Sequence, residues 1–117
     1  MFTIRGAITI KENTEKDILD GTQELLEMII KENLLKDSDI TAIYFTATKD
    51  LNSAYPARAA RAIGINKASL LCLQEMFVVN SLEKCIRICF FCNGKRDQKE
   101  VKHIYAKGAE ILRPDLH

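Results

Sequence analysis

Histidine, the side chain that acid–base catalysis recruits most often, is scarce. It occurs only at 103 and 117, and neither G-x-S-x-G, a P-loop nor G-x-G-x-x-G appears, so triad, zinc and dinucleotide chemistry all lack their signatures. An excess of one charge is missing too. Lys and Arg number 17 against 16 Asp and Glu, which leaves no basic stripe to neutralise phosphates, and nucleic acid is not an expected partner. No apolar run approaches the roughly 20 residues that span a bilayer, and Met1-Phe2-Thr3-Ile4-Arg5 lacks the basic start and long apolar stretch of a signal peptide. A cytoplasmic protein without a membrane partner is expected. No repeat, low-complexity stretch or linker interrupts the 117 residues, which suit a single domain, 1–117, with one site.

Four cysteines are present, at 72, 85, 89 and 92, and Cys89-Phe90-Phe91-Cys92 matches C-x-x-C. Side chains alternate along a strand, so residues three apart project from opposite faces and cannot chelate one ion. A redox C-x-x-C belongs instead at a helix N-terminus. Cys85, Cys89 and Cys92 are therefore expected to be reduced packing residues, and no metal site is expected.

Residues 2–10 alternate around Ile4, Ile8 and Ile10 and predict a strand that carries Arg5 before Gly6. Thr14-Glu15-Lys16-Asp17 resembles an N-cap with acids in the first turn, and Ile18, Thr22, Leu25 and Ile29 trace one face of a helix to about residue 33. A second strand is predicted over 40–48. A short helix follows, with Pro56 in its first turn, Gly64 at its end, and Arg58 and Arg61 three apart on its surface. Strands are predicted over about 69–76 and 85–92, a helix over 98–104 capped by Asp97, and a last short strand over 109–112. The fold class is α/β of the α+β type, with a mixed sheet of about five strands and one long helix. One helix leaves the other sheet face to be covered by something else, and oligomerisation is the economical cover.

Two charges stand out against this pattern. Glu75 falls inside Leu70-Leu71-Cys72-Leu73-Gln74-Glu75-Met76-Phe77-Val78-Val79, and Arg87 inside Cys85-Ile86-Arg87-Ile88-Cys89-Phe90-Phe91-Cys92. An ion in a largely apolar strand costs several kcal/mol unless it meets an opposite charge or a ligand. The two positions point to a site, although they could also simply pair with each other or face water on an open sheet.

Six blocks carry a resemblance to a known family: Ile4-Arg5-Gly6-Ala7, Tyr55-Pro56-Ala57-Arg58-Ala59-Ala60-Arg61, Cys72-Leu73-Gln74-Glu75-Met76, Lys84-Cys85-Ile86-Arg87, His103-Ile104-Tyr105 and Leu112-Arg113-Pro114-Asp115-Leu116. In this order and spacing, from residue 4 to residue 116, the chain resembles the monofunctional AroH-class chorismate mutases. The resemblance implies a homotrimeric pseudo-α/β barrel with sheets inside, long helices outside and sites in clefts between subunits. It implies a cofactor-free Claisen rearrangement of chorismate to prephenate, the branch step toward phenylalanine and tyrosine. One subunit would supply Arg5, Glu75, Arg87 and Tyr105 to each cleft, with Arg87, Glu75 and Arg5 in catalytic roles. The neighbour would supply a wall around Tyr55, Ala57, Arg58, Leu71 and Cys72, with Arg61 near the mouth; Leu73, Gln74 and Leu112 complete the substrate contacts, and Cys72, a weak donor three residues before Glu75, is expected to shape the hydroxyl contact.

The sequence departs from the family pattern in places. Leu71 stands where a small polar residue is common, so only a backbone contact carries over there. Phe77 and Asn80-Ser81 replace the usual Asp and Gly-Gly, which puts the local loop geometry in doubt. The chain stops at His117, short of the mobile tail that helps close the cleft in longer relatives, and weaker substrate binding is expected. Two other functions compete: a non-catalytic trimeric module that binds small carboxylates, and an imine-hydrolysing trimer of similar fold. Glu75 weighs against both, because a pure carboxylate binder has no use for an acid beside its arginines, whereas a substrate with a hydroxyl does.

Overall fold

In the computed structural model, which describes residues 1–117, the strands are β1 (Phe2–Thr9), β2 (Ile40–Ala47), β3 (Ser69–Gln74), β4 (Cys85–Cys92) and β5 (Ile104–Ala106). They form one sheet in the order β3-β2-β4-β1-β5. β4 runs antiparallel to both β1 and β2, whereas β3 and β5 lie parallel to their neighbours, so the sheet is mixed.

Both helices, α1 (Glu15–Glu32) and α2 (Ala57–Ala62), pack on one face of the sheet. Thr14 starts α1 by accepting the Asp17 amide at 3.1 Å, and Ile18, Leu25, Leu26 and Ile29 form its buried stripe. That stripe meets Ile4, Ile8, Ile43, Phe45, Ile86, Ile88 and Phe90, the alternate residues of the three central strands. Gly6 is needed where α1 crosses β1: a Cβ there would lie 2.7 Å from the Ile104 carbonyl oxygen and 2.9 Å from Ile29 Cδ1. No helix is long and apolar enough to cross a membrane.

The opposite face has only partial cover. Near β5 the segment Lys107–Leu112 and Leu82 close over Ala7, Cys85 and Tyr105. Toward β3 the apolar side chains of Tyr44, Leu71 and Leu73 are 43%, 48% and 45% exposed. The uncovered face inferred from a single long helix is therefore present, and it is most open at the β3 edge.

Three predicted elements differ. The helix expected over 98–104 is only a 3-10 turn, Gln98–Glu100, capped by Asp97, and Ile104–Ala106 instead extends the sheet as β5. The edge of β1 decides this outcome. Beyond the β5 pairing, the Gln98 side chain bonds both the amide and the carbonyl of Thr3, and His103 Nδ1 accepts the Arg5 amide at 2.9 Å, so side chains finish the ladder. The strand expected over 109–112 is part of a 3-10 helix, Lys107–Leu112; β1 ends at Thr9, whose hydroxyl captures the Gly108 amide at 2.9 Å. β3 stops at Gln74, so Glu75 stands one residue past the strand, although its amide still donates to the Ala47 carbonyl at 2.9 Å.

Candidate active site

Strand register places the charged residues. Arg87 lies opposite Ala7 on one side and Thr46 on the other, and Ala7 in turn aligns with Tyr105. One row across the uncovered face thus reads Tyr105, Ala7, Arg87, Thr46 and Leu73; the next reads Arg5, Cys89, Tyr44 and Leu71. Paired residues on neighbouring strands project to the same side, so Arg5, Arg87 and Tyr105 share this face.

Glu75 bends back over the row. Its Oε1 accepts the Thr46 hydroxyl and lies 3.5 Å from Arg87 Nε, with the two charged side chains 21% and 33% exposed. The two residues do pair, but loosely: Nε is buried and makes no hydrogen bond in proper geometry. No other carboxylate lies within ion-pair distance of Arg87, and Arg87 makes no hydrogen bond to Glu75, so the two are not closed into a fork. A guanidinium held in a strand and making no hydrogen bond to its neighbouring carboxylate is suited to an anion.

Tyr105 is buried among Ala7, Cys85 and Ala109, with Leu112 packed against the cluster and the Arg113 guanidinium 5.9 Å from its ring centroid. Arg113 is itself fixed by Asp115 through bonds of 3.0 and 2.8 Å. Burial, reinforced by the charges of Arg113 and Arg5, holds His103 below the usual imidazole range.

The remaining predicted residues divide. Tyr55, Arg58, Cys72, Leu73 and Gln74 line a cleft of about 580 Å³ at the β3 edge, together with the 48–54 loop. Arg58 lies 3.3 Å from Glu15 at its rim. Ala57 is buried in the core and Arg61 is exposed, and neither lines this cleft. Cys72 aligns with Phe45 on the helix side of the sheet, while Glu75 reaches Thr46 on the other, so Cys72 cannot act on Glu75 of its own chain. One chain therefore presents two separated groups: Arg5, Glu75, Arg87 and Tyr105 on the uncovered face, and Tyr55, Arg58, Cys72 and Gln74 in the edge cleft.

The altered loop after Glu75 is accommodated. Asn80 takes φ 65°, a left-handed conformation that asparagine tolerates better than most residues, and Lys49 Nζ stands 3.9 Å from the Phe77 ring centroid. The cysteines are free. Burial pushes Cys85 and Cys92 up to about 11 and raises Cys89, which keeps all three protonated as packing groups, Cys89 being only half-buried. Thr46 escaped the sequence reading. Its signal was parity: it alternates with Ile43 and Phe45, which face the helices, and so shares a side with Tyr44.

A mixed sheet with an arginine and a carboxylate loosely joined on its open face, and a second cleft with Lys49 and Arg58 at its edge, defines a small α+β protein with charges suited to an anionic small molecule. The family described as chorismate mutase type I matches residues 1–116; the chain belongs to that family and is thereby a chorismate mutase, an isomerase. It is 40% identical over 114 residues to the chorismate mutase AroH of Bacillus subtilis, covering 97% of this chain and 90% of that one. It is 42% identical to the chorismate mutase AroH of Thermus thermophilus, covering 97% and 93%. A solved chorismate mutase from Clostridium thermocellum superposes with a TM-score of 0.93 at 45% identity, over 96% of this chain and all of that one.

Proposed function

We propose that the protein rearranges chorismate to prephenate without a cofactor, in clefts that form where the uncovered face of one copy meets the edge cleft of another in a homotrimer. The observation that carries this reading is the loose Arg87–Glu75 pair, which leaves both a cationic fork and a carboxylate oxygen available on a face whose apolar neighbours are exposed. Chorismate is a dianion with an enolpyruvyl ether and a ring hydroxyl. As its C–O bond breaks ahead of C–C formation, negative charge gathers on the ether oxygen. Arg87 meets that charge as a preorganised donor, the effect expected to dominate where no proton is transferred. Glu75 accepts from the ring hydroxyl, and Arg5 and Tyr105 hold carboxylates. The second copy contributes Tyr55, Arg58, Cys72, Leu73 and Gln74 from its edge cleft, while Leu71 is exposed on the uncovered face and Leu112 stays beside Tyr105.

Adding purified protein to chorismate and following its ultraviolet absorbance tests the reading. The absorbance should disappear enzymatically, with a rate nearly flat from about pH 5.5 to 9 because no group must gain or lose a proton. Retention of chorismate by a folded oligomer, or a steep bell in the rate, would reject it in favour of carboxylate binding or acid–base chemistry.

A further inference from the structure

Thr46 occupies the one place on β2 from which a hydroxyl reaches the charged pair. It lies opposite Arg87 across the β2–β4 ladder, and its hydroxyl donates to Oε1 of Glu75, the same oxygen that faces Arg87 Nε at 3.5 Å. The backbone of Glu75 is meanwhile tied to the next residue of β2, through its amide and the Ala47 carbonyl. Glu75 is thus held at two points by consecutive residues of one strand. Its other carboxylate oxygen, Oε2, makes no hydrogen bond.

An arginine and a carboxylate at close range ordinarily close into a two-bond fork, which occupies both carboxylate oxygens and two guanidinium nitrogens. Here that closure would consume the atoms the substrate needs. The Thr46 hydroxyl competes for Oε1, and that oxygen stays 3.5 Å from Nε without a hydrogen bond between them. We propose that Thr46 is a positioning residue that keeps the Arg87–Glu75 pair open, reserving Oε2 for the substrate hydroxyl and the Arg87 fork for the developing ether charge. This inference rests on the chorismate reading for its substrate, while the geometry it predicts does not.

Thr46→Val keeps the β-branched shape and removes only the hydroxyl. Loss of a hydrogen bond to a charged group should lower kcat/KM by about 10- to 100-fold. The melting temperature should stay level or rise as the ion pair closes. Thr46→Ser should recover most of the activity, and in a Glu75→Gln background Thr46→Val should cost little more. Crystal structures of wild type and Thr46→Val should show the two-bond fork in the variant alone. Unchanged kcat/KM in folded Thr46→Val, full additivity with Glu75→Gln, or an open pair in the variant would each overturn the proposal. Wild-type protein inert toward chorismate would instead reject the substrate reading, and the pair of crystal structures would still decide the role of Thr46.

Discussion

Arg87 stands on a central strand with Cys85, Ala7 and Thr46 around it, and this setting fixes what its removal should do. Taking away one preorganised donor to a developing oxyanion costs about 10²–10³ in rate, and a full charge in a cleft with little water can cost more. Arg87→Ala should therefore lose mainly kcat, since the ether charge exists only in the transition state. Arg87→Lys keeps a charge without the planar fork and should stay well below wild type in steady-state kinetics. A folded Arg87→Ala that changed only KM would make Arg87 a ground-state binder. His103 gives a separate pH signature. Its depressed pKa means that the unfolded chain takes up a proton more readily than the folded one, so the stability it contributes is complete above about 6.5, its unperturbed value, and falls as pH drops below it. Thermal melts across that range should show this loss in wild type and a shallower one in His103→Gln; identical slopes would remove His103 as the cause. Glu75 and Arg87 were legible in the sequence because a charge within an apolar run is conspicuous. Thr46 was not, because a threonine in a strand is ordinary until the register across β2 and β4 shows what it faces.

At the level of elements, the C-terminal end of α1 is secured by a residue that no pattern announced. Asn33 is buried, its amide nitrogen donates to the carbonyls of Ile29 and Lys102 at 2.9 Å each, and its side-chain oxygen accepts the Lys102 amide at 2.8 Å. The Arg96 guanidinium adds a 2.5 Å bond to its backbone carbonyl. These bonds join the helix to the segment that leads into β5. Asn33→Ala should cost about 2–3 kcal/mol in denaturant unfolding, because partners on two segments are left unsatisfied in partly buried surroundings. A loss below about 0.5 kcal/mol would mean that water replaces the side chain without penalty. The long helix and the four longer strands were readable from period and caps, apart from one or two residues at their ends. The stretch after Asp97 was not, since three residues of β5 carry too little periodicity to declare a strand, and what selects it is the unpaired edge of β1.

For the whole molecule, the decisive feature is the separation of two groups of polar residues on one chain, which the proposal reads as two half-sites. Six sequence blocks foretold the family, and the single long helix foretold an uncovered face. The resemblance implied how the blocks divide; spacing alone could not, because Cys72 faces the helices while Glu75, three residues on and just past β3, reaches Thr46 on the other face. Arg87 belongs to the uncovered face and Arg58 to the edge cleft, so a chain defective in one half still carries the other. Mixing Arg87→Ala protein with Arg58→Glu protein, each inactive alone, measures directly whether sites form between copies. Random exchange in a cyclic trimer pairs one sound half from each variant in about a quarter of the clefts, and about a quarter of wild-type chorismate turnover should return. Mixed oligomers verified by native mass spectrometry that recovered no turnover would contradict the account, since each site would then belong to a single chain.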